Sequence, residues 1–158
     1  MKVESLRSAI IRVSGAYLAT AGVGTLLAVR DGLVGRPFGW DFGLGPLLGF
    51  FVGLGTALSA PLALLLGLVA AIRLLISAAD RGRRAAGLIF LLGTGFFIGM
   101  LAEPITWELA LSGTVTGLVA AVVMANLVLP ALLAILASSL RGATAPSGSV
   151  GFEEAVRR

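Results

Sequence analysis

Long apolar stretches alternate with short polar ones along this chain. Apolar residues fill about 9–29, 42–79, 85–102 and 113–137, and most charged residues stand at the ends of these stretches. About 20 helical residues, rising ~1.5 Å each, cross a hydrocarbon core ~30 Å thick. Three of the stretches fit one crossing each. The second is too long for one crossing and too short for two with a turn between them. The pattern therefore predicts an all-α membrane protein, a bundle of four transmembrane helices over about 9–29, 46–69, 85–102 and 113–137. The second helix is expected to be tilted, kinked at Pro61 and continued past Arg73 to about residue 79. Residues 138–158, with a run rich in Gly, Ser and Ala, are expected to form a flexible cytoplasmic tail. Ala19-Thr20-Ala21 imitates a signal-peptide cleavage site. Arg12 interrupts the apolar run before it and the run continues beyond it, so the segment is read as a span.

Charge then sets the orientation. Lys2 and Arg7 precede the first span and Arg12 lies about one turn inside its start. Arg73, Arg81, Arg83 and Arg84 lie between the second and third, and Arg141, Arg157 and Arg158 follow the fourth. The other two connections hold only Arg30 and Arg36. An excess of Lys and Arg marks cytoplasmic segments, so both termini are expected inside. Trp40 and Trp107 then fall on the outer side, where indoles favour the lipid–water boundary. The same rule explains the net charge of +4 without nucleic acid. Eleven of the cations are Arg, a bias that points to a GC-rich bacterium and hence to the inner membrane.

Composition narrows the chemistry. The chain is 58% hydrophobic and 13% charged, against about 25% charged for a soluble domain. It has no Cys and no His. That removes disulfides, thiol nucleophiles, the common zinc and haem ligands and every catalytic pairing that needs His. No cofactor, no metal and no catalytic residue is expected.

Small residues recur every four positions, which places them on one helix face. Ala16, Thr20, Gly24 and Ala28 form one such face; Gly45, Gly49, Gly53 and Ala57 another; Gly95 and Gly99 a third; Gly113, Gly117, Ala121 and Ala125 a fourth. Such faces let helix backbones approach closely in lipid, within the chain or between copies of it. The outer connections also resemble each other. Pro37-Phe38-Gly39-Trp40-Asp41 and Pro104-Ile105-Thr106-Trp107-Glu108 share a Pro-x-x-Trp-acid pattern ahead of a glycine ladder. Two duplicated helical hairpins would produce this. So would the separate preferences of Trp for the interface and of Pro and acids for the first turn of a helix.

Polar groups inside spans or at their ends cost several kcal/mol unless well placed, so Arg12, Asn126 and Glu103, the last at the outer end of the third span, are candidate ligand or proton groups. Trp40 with Asp41 and Trp107 with Glu108 form a second candidate group, a shallow outer site for a cation. The stretch Tyr17-Leu18…Gly24-Thr25 resembles part of the first span of the small multidrug resistance transporters. Ala21 stands where that family carries its membrane-embedded Glu, so the resemblance implies no proton-coupled exchange and no family is assigned.

Three functions fit. The leading one is a non-enzymatic accessory, structural or transport-related membrane component acting through helix packing. Its partners would be the bilayer and either a second copy or another membrane protein. The alternative is an oligomeric channel or transporter with a polar path at Asn126, Glu103 and Arg12. The third is an enzyme built on a carboxylate pair, Glu103 with Glu108 or Asp31 with Asp41.

Overall fold

The computed structural model describes residues 3–52, 55–77, 82–112 and 117–144. Expectations for Lys2, Gly53, Ala79, Arg81, Gly113, Arg157 and Arg158 fall outside them, as does the tail beyond residue 144. The described residues are helical almost throughout and contain no strand. The helices are α1 (Val3–Asp31), α2 (Pro46–Val52), α3 (Leu62–Ser77), α4 (Gly82–Ala102), α5 (Pro104–Ser112) and α6 (Gly117–Ala143). By length and composition α1, α4 and α6 can each cross a membrane; α3 is apolar but shorter.

Local chemistry sets the ends. Glu4 lies in the first turn of α1 and Arg30 in its last, each matching the sign of the helix dipole there. Gly32, at φ +67°, lets the chain turn back so that the Leu33 N–H donates to the Ala28 carbonyl at 2.8 Å. At the far end of α4 the Glu103 N–H and the Thr106 hydroxyl donate to the Met100 carbonyl, and the Trp107 indole N–H donates to the Leu101 carbonyl at 2.8 Å. These donors satisfy carbonyls that a helix end otherwise leaves open.

The second apolar stretch differs from its expectation. In place of one helix over 46–69 kinked at Pro61, it is two helices, α2 and α3, separated by irregular backbone. Gly55 takes φ +78°, a conformation that disfavours any side chain. Thr56 and Ser59 exchange backbone hydrogen bonds at 2.9 and 3.3 Å around a tight turn. Ala60 precedes a proline and is steered away from helical backbone. The Pro61 carbonyl then accepts from Leu64 and Leu65, which begins α3. Residues 55–59 are all buried. The fourth stretch also differs: its described helix begins at Gly117 and runs to Ala143, so residues 138–143 extend α6 and are not tail.

Packing follows the small residues. α6 lies between α1 and α4, and α3 covers the other side of α4. At Gly93 α4 lies close against α6; a Cβ there would stand 2.9 Å from the Pro130 carbonyl oxygen and 3.0 Å from the Ala134 nitrogen. One apolar cluster gathers Ile10, Leu68, Leu75, Ile89, Leu133 and Leu140, and a second gathers Leu27, Ala28, Leu58, Met100 and Val123. Leu26 (73% exposed), Leu66 (59%), Leu91 (64%) and Ile135 (60%) point away from them. Large apolar side chains exposed on every long helix form a surface suited to lipid.

Candidate functional site

The broken stretch, α4 and α6 wall a partly open cavity whose lining is mostly apolar with a few polar groups. Its volume is about 120 Å³, room for several waters or a small ion. Thr56, Ser59 and Pro61 line it from the irregular segment, Gly95, Gly99 and Glu103 from the end of α4, and Asn126 from α6. Tyr17 of α1 and Phe96 close one wall; their rings stack with centroids 4.9 Å apart. Among the described residues no Lys or Arg lines this space.

Asn126 is 3% exposed, and its Nδ2 donates to the Leu58 carbonyl at 2.8 Å. That bond fixes the orientation of the amide and leaves Oδ1 buried with no hydrogen-bond partner. Pro130, four residues on, has no N–H to give to the Asn126 main-chain carbonyl. The region is therefore rich in acceptors. Glu103 is 6% exposed, and its Oε2 accepts from the Arg36 N–H at 3.0 Å. Loss of water pushes its carboxyl above the ordinary glutamate range, and the Arg36 N–H pulls it part of the way back. Arg36 and Pro37 thus bring the 32–45 connection over the cavity, Pro37 being part of its lining.

The structure sorts the candidates. Glu103 and Asn126 share the cavity; Arg12 lines a separate hollow at the end of the molecule where α1 begins. Trp40 is exposed, with its ring edge-on to Phe42 at 6.4 Å. Asp41 pairs with Arg36 at 3.0 Å and accepts from the Gly43 N–H. Trp107 and Glu108 line a shallow hollow with Phe38 and Gly39, and neither Trp40 nor Asp41 lines it. The two Pro-x-x-Trp-acid segments also fold differently. Pro37–Gly39 is a 3-10 turn with Phe38 at φ 57°, whereas Pro104–Glu108 opens α5.

The small residues divide too. Gly24 abuts the Leu58 backbone, and a Cβ at Gly49 would stand 2.9 Å from the Gly55 carbonyl oxygen. Gly45, Gly95, Gly99 and Gly117 have no such neighbour within 4 Å. Gly95 and Gly99 instead leave space on the cavity side of α4. Sequence reasoning passed over Tyr17, Thr56, Ser59 and Gly93. The cluster Gly53…Gly55-Thr56…Ser59-Ala60-Pro61 inside an apolar run is the signal that marks the break. Among the described residues no three His, Cys, Asp or Glu side chains gather in a group able to hold a metal ion. Comparison with protein-family models, curated proteins and solved structures finds no match.

Proposed function

We propose that the chain crosses the bacterial inner membrane four times with both termini inside, and that it is a non-enzymatic, transport-related component which binds a small cation or other hydrogen-bond donor. The composite of α2, the segment 55–61 and α3 makes the second crossing. The cation split between connections supports the orientation.

One observation carries the reading: irregular backbone in the second apolar stretch meets Glu103 and Asn126 around a cavity that no Lys or Arg lines among the described residues. Non-helical backbone at membrane depth persists only where protein or a water-lined cavity satisfies it. Interrupted helices of this kind build the midplane sites of secondary transporters, and ionisable groups within membranes mark ion or substrate paths. A carboxylate, an unpartnered amide oxygen and hydroxyls accept hydrogen bonds, so they select donors and cations over anions.

The test is electrical recording from reconstituted vesicles after jumps of Na⁺, K⁺ or methylammonium. The expected result is a current abolished by Glu103→Gln and by Asn126→Leu. Silence towards all three ions, or a current untouched by both substitutions, rejects the reading. Topology is tested separately. The chain has no Cys, so single Phe42→Cys and Arg84→Cys variants can be labelled from either side with a membrane-impermeant thiol reagent. Phe42→Cys should react from outside and Arg84→Cys only after permeabilisation.

A second reading, an accessory subunit that packs against a partner helix, draws support from the uncovered faces at Gly45 and Gly117. A mass measurement in nanodiscs distinguishes a monomer from an assembly.

A further inference from the structure

Arg12 stands away from the cavity at Glu103 and Asn126, and its surroundings point to a different ligand. α1 packs on α6 and α3 on α4, while α1 and α3 touch each other little. At the end where α1 begins, this leaves a hollow of about 380 Å³ between them. Arg7, Ser8 and Arg12 form its polar side, and Ile11, Leu75 and Ile76 its apolar side. Among the described residues Glu4 is the one acid in the lining.

The two guanidinium groups are held differently. Arg7 reaches the start of α4, where a Cβ at Gly82 would stand 2.7 Å from its guanidinium. Arg12 is exposed and makes no hydrogen bond or ion pair among the described residues. Ile76, across the hollow, is 64% exposed and Ile11 36%. A site with one exposed guanidinium and a second cation behind it at one side, and bare hydrocarbon at the other, fits one class of ligand. Guanidinium matches the paired oxygens of a phosphate, and the isoleucines match the first methylenes of an acyl chain.

We infer that this hollow seats the headgroup of an anionic phospholipid, with Arg12 as the principal phosphate contact and Ile11, Leu75 and Ile76 against the glycerol and upper chain. Charge selects the anionic class. Among the described lining residues the two arginines outnumber Glu4, and a zwitterionic headgroup would bring its own cation towards them. The apolar side selects a lipid over free phosphate. The site is independent of the cavity at Glu103 and Asn126 and stands or falls without it.

Native mass spectrometry of the purified protein, with phosphatidylglycerol or phosphatidylcholine titrated into the micelles, tests the assignment. Phosphatidylglycerol should be retained in preference. Arg12→Gln should weaken that retention roughly fivefold for the single charge removed near the membrane surface. Arg73→Gln, an exposed position outside the lining, should leave it unchanged. Both arginines are exposed, so neither substitution disturbs packing. Equal retention of the two lipids overturns the inference. So does equal weakening by Arg12→Gln and Arg73→Gln, which would mean a diffuse basic face. Displacement of the lipid by millimolar inorganic phosphate would also overturn it, in favour of a plain anion site.

Discussion

Replacing Gly24 with Ala adds one methyl group, and its effect can be worked out before the experiment. A helical Gly→Ala change on an open face stabilises by about 1 kcal/mol through backbone entropy. At Gly24 the added carbon would collide with the Leu58 carbonyl oxygen and stand 3.1 Å from the Leu58 carbonyl carbon. That same carbonyl accepts the Asn126 Nδ2 at 2.8 Å. Relief of the clash has to move Leu58 away from α1, which stretches or breaks the bond. Overpacking costs about 1–3 kcal/mol, and leaving a buried donor or acceptor unsatisfied costs about 1–3 kcal/mol more. Set against the gain of about 1 kcal/mol, the net effect is a loss of roughly 1–5 kcal/mol. At ~2–4 °C per kcal/mol for a chain of this size, Tm should fall by about 2–20 °C. The assay is thermal unfolding in detergent followed by far-UV circular dichroism. Gly15→Ala, on an open face of the same helix, is the control and should match or slightly exceed wild type. A Gly24→Ala protein as stable as the control would refute the close contact of α1 with the broken segment.

Other outcomes follow from the same contacts. Gly93→Leu should abolish folded yield, because two backbone atoms of α6 lie within 3.0 Å of the first added carbon. Gly99→Leu, with open space around it, should leave Tm within a few degrees and fill the cavity; purification yield and thermal unfolding check both. Asn126→Leu leaves the Leu58 carbonyl without its donor and should lower stability by about 1–3 kcal/mol, read from the melting curve. Glu103 titrates above the usual glutamate range because it is buried. Its contribution is thus fully present below the unfolded-state value near 4.5 and is lost as pH rises through the folded value. Wild type should therefore melt higher at pH 4.5 than at pH 8. Glu103→Gln, which keeps an oxygen to accept from Arg36, should flatten that difference; an unchanged pH profile would place the dependence elsewhere.

Much of the helix pattern was written in the sequence. Long apolar runs, Glu4 and Arg30 at opposite ends of α1, and Gly32 after it are local features, and local features suffice to place α1 and the C-terminal end of α4. Membrane character was legible for the same reason, since hydropathy depends on composition and not on packing. The second stretch carries a cue in its Gly, Thr, Ser and Pro residues at 53–61, but its apolar run has no charged gap, and a kinked helix and a broken one read alike from it. The tight turn at Thr56–Ser59, the positive φ of Gly55 and the lost helix hydrogen bonds near Pro61 decide for the break, against which Gly24 of α1 and Asn126 of α6 pack. The likeness of the Trp40 and Trp107 segments shows the converse: similar words adopt a 3-10 turn in one place and a helix in another, because their neighbours differ.

The candidate site divides the same way. Asn126 and Glu103 stand out in sequence because polar groups are costly in lipid, and that cost is a property of each residue alone. Which of them share a space is not such a property. Helix order puts α6 between α1 and α4, and this brings Asn126 to Leu58, 68 positions away in the chain, and Glu103 to Arg36, 67 positions away, while it leaves Arg12 at the opposite end. The glycine faces looked alike as patterns, yet Gly24 touches backbone and Gly99 leaves space. A residue's spacing fixes the helix face it occupies; what that face meets is decided by the neighbouring helix.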